Sequence, residues 1–554
     1  MTRSRRALGW IALATALGSC AHQRDASHDK RGPAERAAQR ARPRATRVTG
    51  AVTYEFRALT DRGYASATTT RPARFVIVRA LDAAGATLAE TSADADGRYA
   101  LDVPSSTARI VARASVQRQP SCTRGGSAGC TAGMRIDVAP DREGRAPHEL
   151  SSRWIAGTQT LSLHASLAEP QALGGAFHIL DTLVTGMQTI HRWSGRQLAP
   201  FFVIWSHASG TDWSYYRGER PANSGRFALE LMGGVRGQLP TTDADQHDVF
   251  IVLHEFGHFV FDTLASDSSI GGMHPATVNI DPGVAWEEGR ATWLASAILG
   301  DSRYRDAVGI EPAGSLRQDD ELEQLPPSAL RGMGSQRTVE EVLWDLSDGT
   351  LADQSTPLAD RDNDGVALGP ARVFEAMLTA AREPRAYPSL VSYLRHLVAT
   401  RALTEAQARA ILERPQRQGI RYPNAGEPDP WPVDLAPSTD ARNKIDGRTN
   451  PAPSGGRAHP TNGYDATHAY RIHVTRAGTI NVTLTIQGTG RVRDVTDLDL
   501  ELRDQRSDEV ASARTEAAVE TISRRIEPGT YVIYVRDGGN GNAARYSLRW
   551  SIAP

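Results

Sequence analysis

The sequence predicts a multidomain protein in which a β-sandwich is followed by an α+β domain and then by a second β-sandwich. Three observations support this prediction. The chain has 554 residues, a length typical of about three or four domains. Short runs with alternating apolar residues occur near both ends, as expected of strands. The middle of the chain has longer apolar runs with helical periodicity, and a Pro- and Gly-rich stretch separates it from the C-terminal strands.

Residues 1–20 have the pattern of an export signal. Basic residues between Arg3 and Arg6 precede an apolar stretch, residues 7–16, which is too short to span a bilayer as a stable helix. The stretch is closed by Leu17-Gly18-Ser19-Cys20. We therefore expect the protein to be exported.

The end of this signal resembles the bacterial lipobox, in which the cysteine is lipidated and becomes the first mature residue. The resemblance implies a membrane anchor on Cys20, and Ala21 after it favours the outer membrane over retention in the inner membrane. The alternative is an ordinary signal peptide with an incidental cysteine and a periplasmic or secreted protein. Residues 21–46 are charged and lack apolar periodicity, which is typical of a flexible tether.

The first folded domain is expected over residues 47–167. Alternating apolar residues predict strands at residues 48–56, 74–81 and 99–103. The turn at Asp96-Gly97, followed by Tyr-x-Leu-x-Val-Pro, resembles the transthyretin-like regulatory domain of carboxypeptidases and many surface lipoproteins. The resemblance implies a β-sandwich that serves as a spacer or docking module.

Two cysteines of this region, Cys122 and Cys130, lie in one Ser- and Gly-rich loop. In an exported chain such a pair is more often joined than free. Without histidines nearby, the two thiols do not suit a metal site. We therefore predict a small local disulfide.

The central domain, residues 168–421, contains His254-Glu255-Phe256-Gly257-His258 within an apolar run over residues 249–261. Two imidazoles four residues apart on a helix project from one face and can hold one metal ion, and Glu255 lies beside that metal as a proton acceptor. Because the flanking residues are apolar, the helix is expected to be buried. The alternative is that both histidines are structural core residues that bond only to the backbone or to water. Glu255 would then be a buried carboxylate without a function, and its desolvation would cost free energy. The motif therefore predicts a zinc site.

A zinc site for hydrolysis needs a third protein ligand and an open position for water. Asp281 and Pro282 are typical of a helix N-cap and first turn, and the helix after them carries Glu287 and Glu288. Glu288 shares its stripe with small residues that allow another helix to approach closely. Glu287 precedes Arg290 by three positions, a spacing suited to a surface ion pair. We therefore predict Glu288 as the third ligand in preference to Glu287.

These two segments together resemble the gluzincin metallopeptidases, which include thermolysin-like and aminopeptidase-N-like enzymes. The match consists of the His-Glu-x-x-His motif and of Glu287-Glu288-Gly289-Arg290-Ala291. The resemblance implies a zincin-like α+β peptidase domain and assigns the third-ligand role to Glu288. One departure is that 29 residues separate His258 from Glu288, more than in either named group. The sequence therefore indicates a bacterial relative outside both.

The chemistry expected of this site is hydrolysis of a peptide bond. Zinc lowers the pKa of a bound water to about 7 and polarises the scissile carbonyl. Glu255 is expected to accept the proton of that water and to deliver it to the leaving amine. Asp262 and Thr292, each four residues after a ligand, are candidates for orienting the ligands by hydrogen bonds. The alternative for Asp262 is an ordinary acid in the last turn of its helix.

Other residues of the central domain have weaker assignments. Residues 226–232 are predicted to form a strand, and the gluzincin resemblance implies that it is the sheet edge against which substrate pairs. Glu230 on this strand is a candidate for binding a free substrate amine, and the alternative is an exposed strand residue. His274, in the loop between the ligand helices, is expected to be solvated, and the alternative is that it faces the cleft. The gluzincin resemblance also implies a Tyr or His that stabilises the oxyanion. The sequence offers four candidates for this donor without selecting one: Tyr304, Tyr387, Tyr393 and His396.

A second metal is suggested by Asp360, Asp362 and Asp364, which alternate before Gly365 as in the first half of an EF-hand calcium loop. The second half is not matched, because Ala371 stands where an EF-hand has a bidentate glutamate. The segment is therefore either a different calcium loop or a solvated acidic turn.

Residues 422–463 are rich in Pro and Gly and are predicted to form a linker. Residues 464–554 then form the third domain, a small antiparallel sandwich. Its motifs Asp497-Leu498-Asp499-Leu500 and Glu527-Pro528-Gly529-Thr530-Tyr531 resemble the bacterial pre-peptidase C-terminal domain of secreted proteases. The resemblance implies a role in secretion or substrate binding. Strands are predicted at residues 470–474, 479–486, 498–502 and 531–535.

Composition argues against several other classes. The formal net charge is −1 and the basic residues, almost all arginine, are spread along the chain, so nucleic acid is not an expected partner. Neither a phosphate-binding glycine loop nor an internal repeat is evident. The expected partners are a peptide or protein substrate and, through Cys20, a membrane.

Two functions compete at this point. An active zinc peptidase is favoured over a surface binding or scaffold lipoprotein with a weak or inactive protease fold, because a scaffold has no need to keep Glu255 together with the three ligands. A zinc hydrolase of non-peptide amides would use the same residues. Both endopeptidase and aminopeptidase activity agree with the sequence.

Overall fold

The computed structural model describes residues 45–104, 107–122, 130–168, 170–209, 213–218, 225–266, 269–272, 274, 278–309, 316–349, 365–381, 387–413, 420–445, 466–487, 497–538 and 544–554. The chain divides into a unit that ends at Ala45 and a compact unit from Thr46 to Pro554, and only the second is described below. The predicted signal, Cys20 and the acidic residues Asp360, Asp362 and Asp364 lie outside the described residues.

The compact unit is rich in β-sheet and has a group of α-helices in its middle. Its strands are β1 (Thr46–Thr60), β2 (Gly63–Pro72), β3 (Val76–Leu81), β4 (Thr87–Ser92), β5 (Arg98–Val103), β6 (Thr107–Arg118), β7 (Ser121–Cys122), β8 (Cys130–Thr131), β9 (Met134–Ala139), β10 (Glu149–Ala156), β11 (Gln159–Thr160), β12 (Leu163–Ala165), β13 (Phe201–Ile204), β14 (Tyr215–Arg217), β15 (Phe227–Glu230), β16 (Arg303–Ala307), β17 (Leu316–Glu321), β18 (Val433–Asp434), β19 (Ala441–Ile445), β20 (Thr467–Val474), β21 (Gly478–Gln487), β22 (Leu498–Arg503), β23 (Glu509–Ala513), β24 (Val519–Ile526), β25 (Gly529–Asp537) and β26 (Ala544–Ala553).

The helices are α1 (Gly174–Ser194), α2 (Val249–Leu264), α3 (Pro282–Leu299), α4 (Gln336–Ser347), α5 (Pro370–Ala380), α6 (Leu390–Ala399) and α7 (Glu405–Leu412). A short 3-10 helix, Asp245–His247, precedes α2. None of the helices in the described part of the chain is both long enough and apolar enough to cross a membrane.

The first predicted domain and the central domain share one sheet. This eight-stranded sheet has the order β14-β15-β13-β9-β6-β3-β4, and β10 also pairs with β6. β9 pairs in parallel with β13, so that Ile136 lies opposite Phe201. One hydrophobic core extends from Val48 to Tyr422. In the described residues, the two regions that the sequence suggested as separate domains therefore form one packed body across the expected boundary at residues 167 and 168.

A second sheet is centred on β1, which pairs with β2 and β5 in antiparallel fashion and with β11 and β12 in parallel. The predicted N-terminal strands lie in β1, β3 and β5. The predicted turn before β5 is present: Gly97 has φ 72° and donates its N–H to the Asp94 carbonyl. A side chain at Gly97 would be strained in this left-handed conformation.

The strand expected to be an open sheet edge is not one. β15 lies between β13 and β14, and Glu230 at its end is opposite Tyr215 of β14. In the described residues β14 is the outermost strand on this side. The expectation that substrate pairs with β15 is therefore wrong, because the short strand β14 already occupies its backbone hydrogen bonds.

The helices α2, α3 and α4 pack closely in sequence order. α2 begins after Asp248, whose side chain accepts the N–H of Ile251. α3 begins as predicted, with Pro282 in its first turn and Asp281 accepting the N–H groups of Gly283 and Val284. These caps set the starting points of the two helices that carry the predicted zinc ligands.

Two glycines allow the three helices to approach. A Cβ atom on Gly257 of α2 would lie 3.1 Å from the Cα of Ala291 on α3. A Cβ on Gly289 of α3 would lie 2.6 Å from the Cβ of Val339 on α4. Ala291, one of the small residues predicted along the stripe of α3, thus lies where α3 meets α2.

The C-terminal region is a sandwich of two sheets around its own hydrophobic core. The sheets have the orders β18-β20-β25-β22-β23 and β19-β26-β21-β24, and the four predicted strands lie in β20, β21, β22 and β25. Part of the predicted linker belongs to this sandwich, because β18 pairs with β20 and β19 pairs with β26.

Replacing Gly289 with alanine is expected to destabilise the helical region. The new Cβ would also lie 2.9 Å from the backbone oxygen of Gln336, so α3 and α4 would have to move apart. Overpacking of this kind lowers the free energy of unfolding by about 1–3 kcal/mol. Urea or thermal unfolding followed by circular dichroism measures the effect.

Gly218→Ala is the matched control, because a Cβ at Gly218 would meet no atom within 4 Å. Equal unfolding midpoints for the two variants would contradict the packing argument.

Candidate metal centre

Helices α2 and α3 bring His254, His258 and Glu288 together. The Nε2 atoms of the two histidines are 3.1 Å apart. The Oε2 atom of Glu288 lies 3.2 Å from Nε2 of His254 and 3.4 Å from Nε2 of His258. His254 and Glu288 are buried and His258 is half-buried. The side-chain donor atoms of the three predicted ligands therefore converge on one position.

The donor set fits a zinc ion. Ligand atoms about 2.0–2.2 Å from a tetrahedral zinc are separated from one another by about 3.3–3.6 Å. The three separations in the structure, 3.1, 3.2 and 3.4 Å, lie near this spacing. Two imidazole nitrogens that face each other can share at most one proton, so a cation between them would satisfy both lone pairs. Imidazole nitrogen and carboxylate oxygen are donors that zinc prefers.

Glu255 follows His254 directly on α2 and is buried. A buried carboxylate needs a polar or cationic partner to offset its lost hydration. A zinc ion on the neighbouring ligands would supply that charge. The placement of Glu255 thus agrees with a proton acceptor beside the metal.

Thr292 of α3 lies next to the ring nitrogen of His254 that does not face the other ligands. Its Oγ1 lies 3.1 Å from Nδ1 of His254, so Nδ1–H can donate to the hydroxyl while Nε2 keeps its lone pair for a metal. Glu340 of α4 lies near the same hydroxyl, which acts to lower its pKa, and accepts a hydrogen bond from Arg337 at 3.0 Å. Burial raises the pKa of Glu340 to about 8, although Arg337 acts against it. The sequence pointed to Thr292 but not to Glu340, which is distant in the chain.

Asp262, the other candidate for orienting a ligand, accepts a hydrogen bond from the Tyr216 hydroxyl. Tyr216 is the middle residue of β14. Asp262 therefore ties the last turns of α2 to the outer strand of the eight-stranded sheet.

The expected ion pair between Glu287 and Arg290 forms, but it is not on the surface. Both side chains are buried, with 3% and 1% of their area exposed. The guanidinium also donates to the carbonyl of Ser266 and stacks over the ring of Phe261, 4.2 Å from its centroid. The surface location was wrong because the helix is buried on every side, and the pair links α3 to the C-terminal end of α2.

His274 was expected to be a solvated loop histidine, with a position facing the cleft as the alternative. The structure places it beside the ligand cluster, as in that alternative. Its Nε2 is 3.4 Å from Oε1 of Glu288, and 41% of the side chain is exposed. Burial by itself raises the pKa of Glu288, but His274, His258 and His254 together hold this pKa well below its usual range. This direction agrees with the anionic carboxylate that a zinc ligand requires.

Three of the four candidates for an oxyanion donor bond to groups other than the three ligands. The Tyr387 hydroxyl donates to the backbone carbonyl of Asp504, and the Tyr393 hydroxyl donates to that of Val373. Nε2 of His396 lies 3.0 Å from Oγ1 of Thr379. Tyr304 is the candidate beside the ligands, with its ring centroid 6.1 Å from that of His254.

The Tyr304 side chain is buried. Its pKa is raised well above the usual value, first by burial and then by Asp306 and Asp248, ahead of Glu255. The strongest nearby charges thus lie toward the start of α2. The Tyr304 ring contacts two residues of α2, with its centroid 5.4 Å from that of Phe250 and 6.1 Å from that of His254.

Glu230 is not free to bind a substrate amine. It is 1% exposed and accepts hydrogen bonds from Arg142 and Arg217 at 2.8 Å and from Tyr215 at 2.7 Å. Burial raises its pKa, but these donors outweigh burial and lower the pKa overall. Its charge is therefore already compensated within the protein.

Cys122 and Cys130 lie directly opposite each other in the two-stranded ladder formed by β7 and β8. Residues 123–129 between them lie outside the described part of the chain. The backbone register agrees with the predicted local disulfide, which stays a prediction.

No family model and no curated protein matches this sequence. Among solved structures, the pre-peptidase C-terminal domain of collagenase from Bacillus anthracis is similar to part of the chain, with 16% identity over 22% of this chain and 93% of that one. PliG from Aeromonas hydrophila, a periplasmic inhibitor of g-type lysozyme, has 15% identity over 22% of this chain and 95% of that one. Their TM-scores are 0.17 and 0.15, too low to support a conclusion about this chain.

Replacing Thr292 with valine is expected to weaken zinc binding about 10–100-fold, because the imidazole of His254 loses the hydroxyl that orients it. Competition with a chromophoric zinc chelator measures the affinity. Thr292→Ser keeps the hydroxyl and is the control, for which near-normal affinity is expected. Equal zinc affinity in the valine and serine variants would contradict an orienting role for this hydrogen bond.

Proposed function

We propose that this protein is an exported zinc-dependent hydrolase of peptide bonds. The observation that supports the proposal is the convergence of His254, His258 and Glu288 within 3.1–3.4 Å of one another. The two histidines lie on α2, which also carries Glu255, and Glu288 lies on α3. Three ligands of this type leave a fourth position for water, which is the arrangement of catalytic zinc sites.

Each residue has a defined role in this proposal. A bound zinc ion would polarise the substrate carbonyl and lower the pKa of a coordinated water to about 7. Glu255 accepts a proton from the attacking water at its carboxylate and then delivers it to the nitrogen of the leaving amine. Thr292 keeps His254 in the tautomer that presents Nε2 to the metal. His258 and Glu288 complete the set.

The alternative of a binding or scaffold protein with an inactive protease fold is less well supported. A buried carboxylate at position 255 and three converging ligands are costly to keep unless a metal and its chemistry use them. A zinc hydrolase of non-peptide amides would need the same four residues, and product analysis separates it from a peptidase.

The location of the activity is part of the same proposal. The signal-like N-terminus and Cys20 support an outer-membrane lipoprotein whose compact unit begins at Thr46. Residues 21–46 would then act as the tether between the lipid and the enzyme.

The first experiment is cleavage of unfolded casein and of a mixed peptide pool by zinc-loaded protein that lacks residues 1–20. We expect peptide products from the parent protein, and a reduction of at least about 100-fold with Glu255→Gln, because general-base catalysis contributes 10²–10⁴-fold. Mass spectrometry of the product ends distinguishes internal cleavage from removal of terminal residues. Removal of zinc with a chelator should abolish hydrolysis, and adding zinc back should restore it.

Two variants separate the roles of the carboxylates. Glu255→Gln is expected to retain stoichiometric zinc without activity, whereas Glu288→Gln is expected to lose both zinc and activity. A folded, zinc-loaded parent protein that hydrolyses neither casein nor any peptide would rule out the peptidase and favour the scaffold or a non-peptide substrate.

A further inference from the structure

A second group of acidic residues surrounds the start of α2. Asp243 lies in the preceding loop, Asp245 begins the short 3-10 helix, Asp248 caps α2 and Asp306 lies on β16. Carboxylate oxygens of Asp243, Asp245 and Asp306 lie within 4.8 Å of one another. These residues come from two chain segments, so the cluster joins the loop before α2 to the β16–β17 hairpin.

Asp243 and Asp245 each accept a hydrogen bond at one oxygen, and all three aspartates leave the other oxygen without a donor in the described part of the chain. Oδ2 of Asp243 accepts a hydrogen bond from Arg317, and Oδ2 of Asp245 accepts one from Ser214. Oδ2 of Asp306 is 3.9 Å from Nε of Arg317. The Oδ1 atoms of all three are buried and have no hydrogen-bond partner among the described residues. Asp245 and Asp306 are only 1% and 6% exposed.

The charges in this region do not balance. With Asp248 there are four carboxylates, and Arg317 is the cation that the described contacts place against them. Burial and then Asp243 raise the pKa of Asp306 to about 7. Burial and neighbouring aspartates likewise raise the pKa values of Asp245 and Asp248 well above the usual range. Buried carboxylates without hydrogen bonds or counter-charge are costly, and a bound cation removes that cost.

We propose that Asp243, Asp245 and Asp306 bind a calcium ion. A site made of carboxylate oxygens alone suits a hard cation such as calcium, whereas zinc sites in proteins include histidine or cysteine ligands, as in the His254, His258 and Glu288 set. Calcium takes six to eight oxygens at about 2.3–2.6 Å, so two of its ligands can be up to about 5 Å apart, and the 4.8 Å limit of this cluster fits that range. Backbone carbonyls and water would complete the coordination.

The position of this site gives the ion a structural role for the metal centre. Asp248 accepts the N–H of Ala307 at 2.9 Å as well as that of Ile251 in α2. Ala307 is the neighbour of Asp306, and His254 follows Asp248 by six residues. An ion on Asp306 and Asp245 would therefore fix the hairpin against the start of the helix that carries two zinc ligands. The inference does not depend on the proposed peptidase activity.

The test measures calcium binding to the full chain carrying Glu255→Gln, which prevents self-cleavage, with zinc saturating. Calorimetric titration with Ca²⁺ and sensitised Tb³⁺ luminescence give the affinity, and thermal unfolding gives the stability. We expect calcium to bind and to raise the melting temperature. Asp306→Asn should weaken binding at least ten-fold and abolish the rise in melting temperature.

A further signature distinguishes a cation site from a merely structural acidic cluster. In the absence of calcium, the melting temperature of the Asp306→Asn variant should equal or exceed that of its parent, because the substitution removes one uncompensated buried charge. A fall in melting temperature without calcium, together with unchanged calcium binding, would overturn the proposal. Should Asp306→Asn fail to fold, Asp243→Asn, at the more exposed member of the cluster, provides the same comparison.

Two matched variants complete the design. Asp319 lies on the same hairpin in an exposed ion pair with Arg303. The protein carrying Asp319→Asn should therefore bind calcium normally. Asp362→Asn tests the acidic segment at residues 360–364, and loss of all calcium binding in that variant alone would assign the ion there and overturn the proposal. The absence of any calcium effect at millimolar concentration would also overturn it and would favour a proton shared between Asp243 and Asp245.

Discussion

The close contact between α2 and α3 at Gly257 is the constraint on which the candidate site depends. Gly257 has no side chain, and a Cβ atom at this position would lie only 3.1 Å from the Cα of Ala291. Because that atom is absent, α2 can approach α3 closely. Glu288 precedes Ala291 by almost one turn, and the two histidines flank Gly257 on the facing helix. Helices separated by ordinary side chains would place the Glu288 carboxylate too far from both imidazoles to share one metal with them.

A layer of buried charge lies behind this contact. Glu287 pairs with Arg290, and Arg337 pairs with Glu340 and Asp320. Buried ion pairs offer little net stability, because desolvation offsets much of their attraction. Two of these side chains also bond outside their own helix: Arg290 of α3 donates to the carbonyl of Ser266 after α2, and Arg337 of α4 pairs with Asp320 of β17. The aspartates at the start of α2 differ from these pairs, because their charge is not balanced within the described residues.

The N-terminal strands contribute to the body that carries the site. α1 packs against β1, β6 and β9 on one side and against α2 on the other. The parallel pairing of β9 with β13 continues the same sheet toward β14, whose Tyr216 holds the end of α2 through Asp262. A region that resembles a separate docking module in sequence therefore supports, in the structure, the helix that carries two of the candidate metal ligands.

The sequence by itself determined the local features of this protein. The spacing of His254 and His258, the cap at Asp281 and Pro282, and the small residues around Glu288 depend on helical periodicity, which is a property of neighbouring residues. Only the tertiary structure decided which distant groups meet. The approach of Glu340 to Thr292, of His274 to Glu288 and of Asp306 to Asp243 joins segments that no local spacing relates. The burial of Glu287 and Arg290 and the sharing of one sheet by two expected domains were decided in the same way, because packing of whole elements sets solvent exposure and strand order.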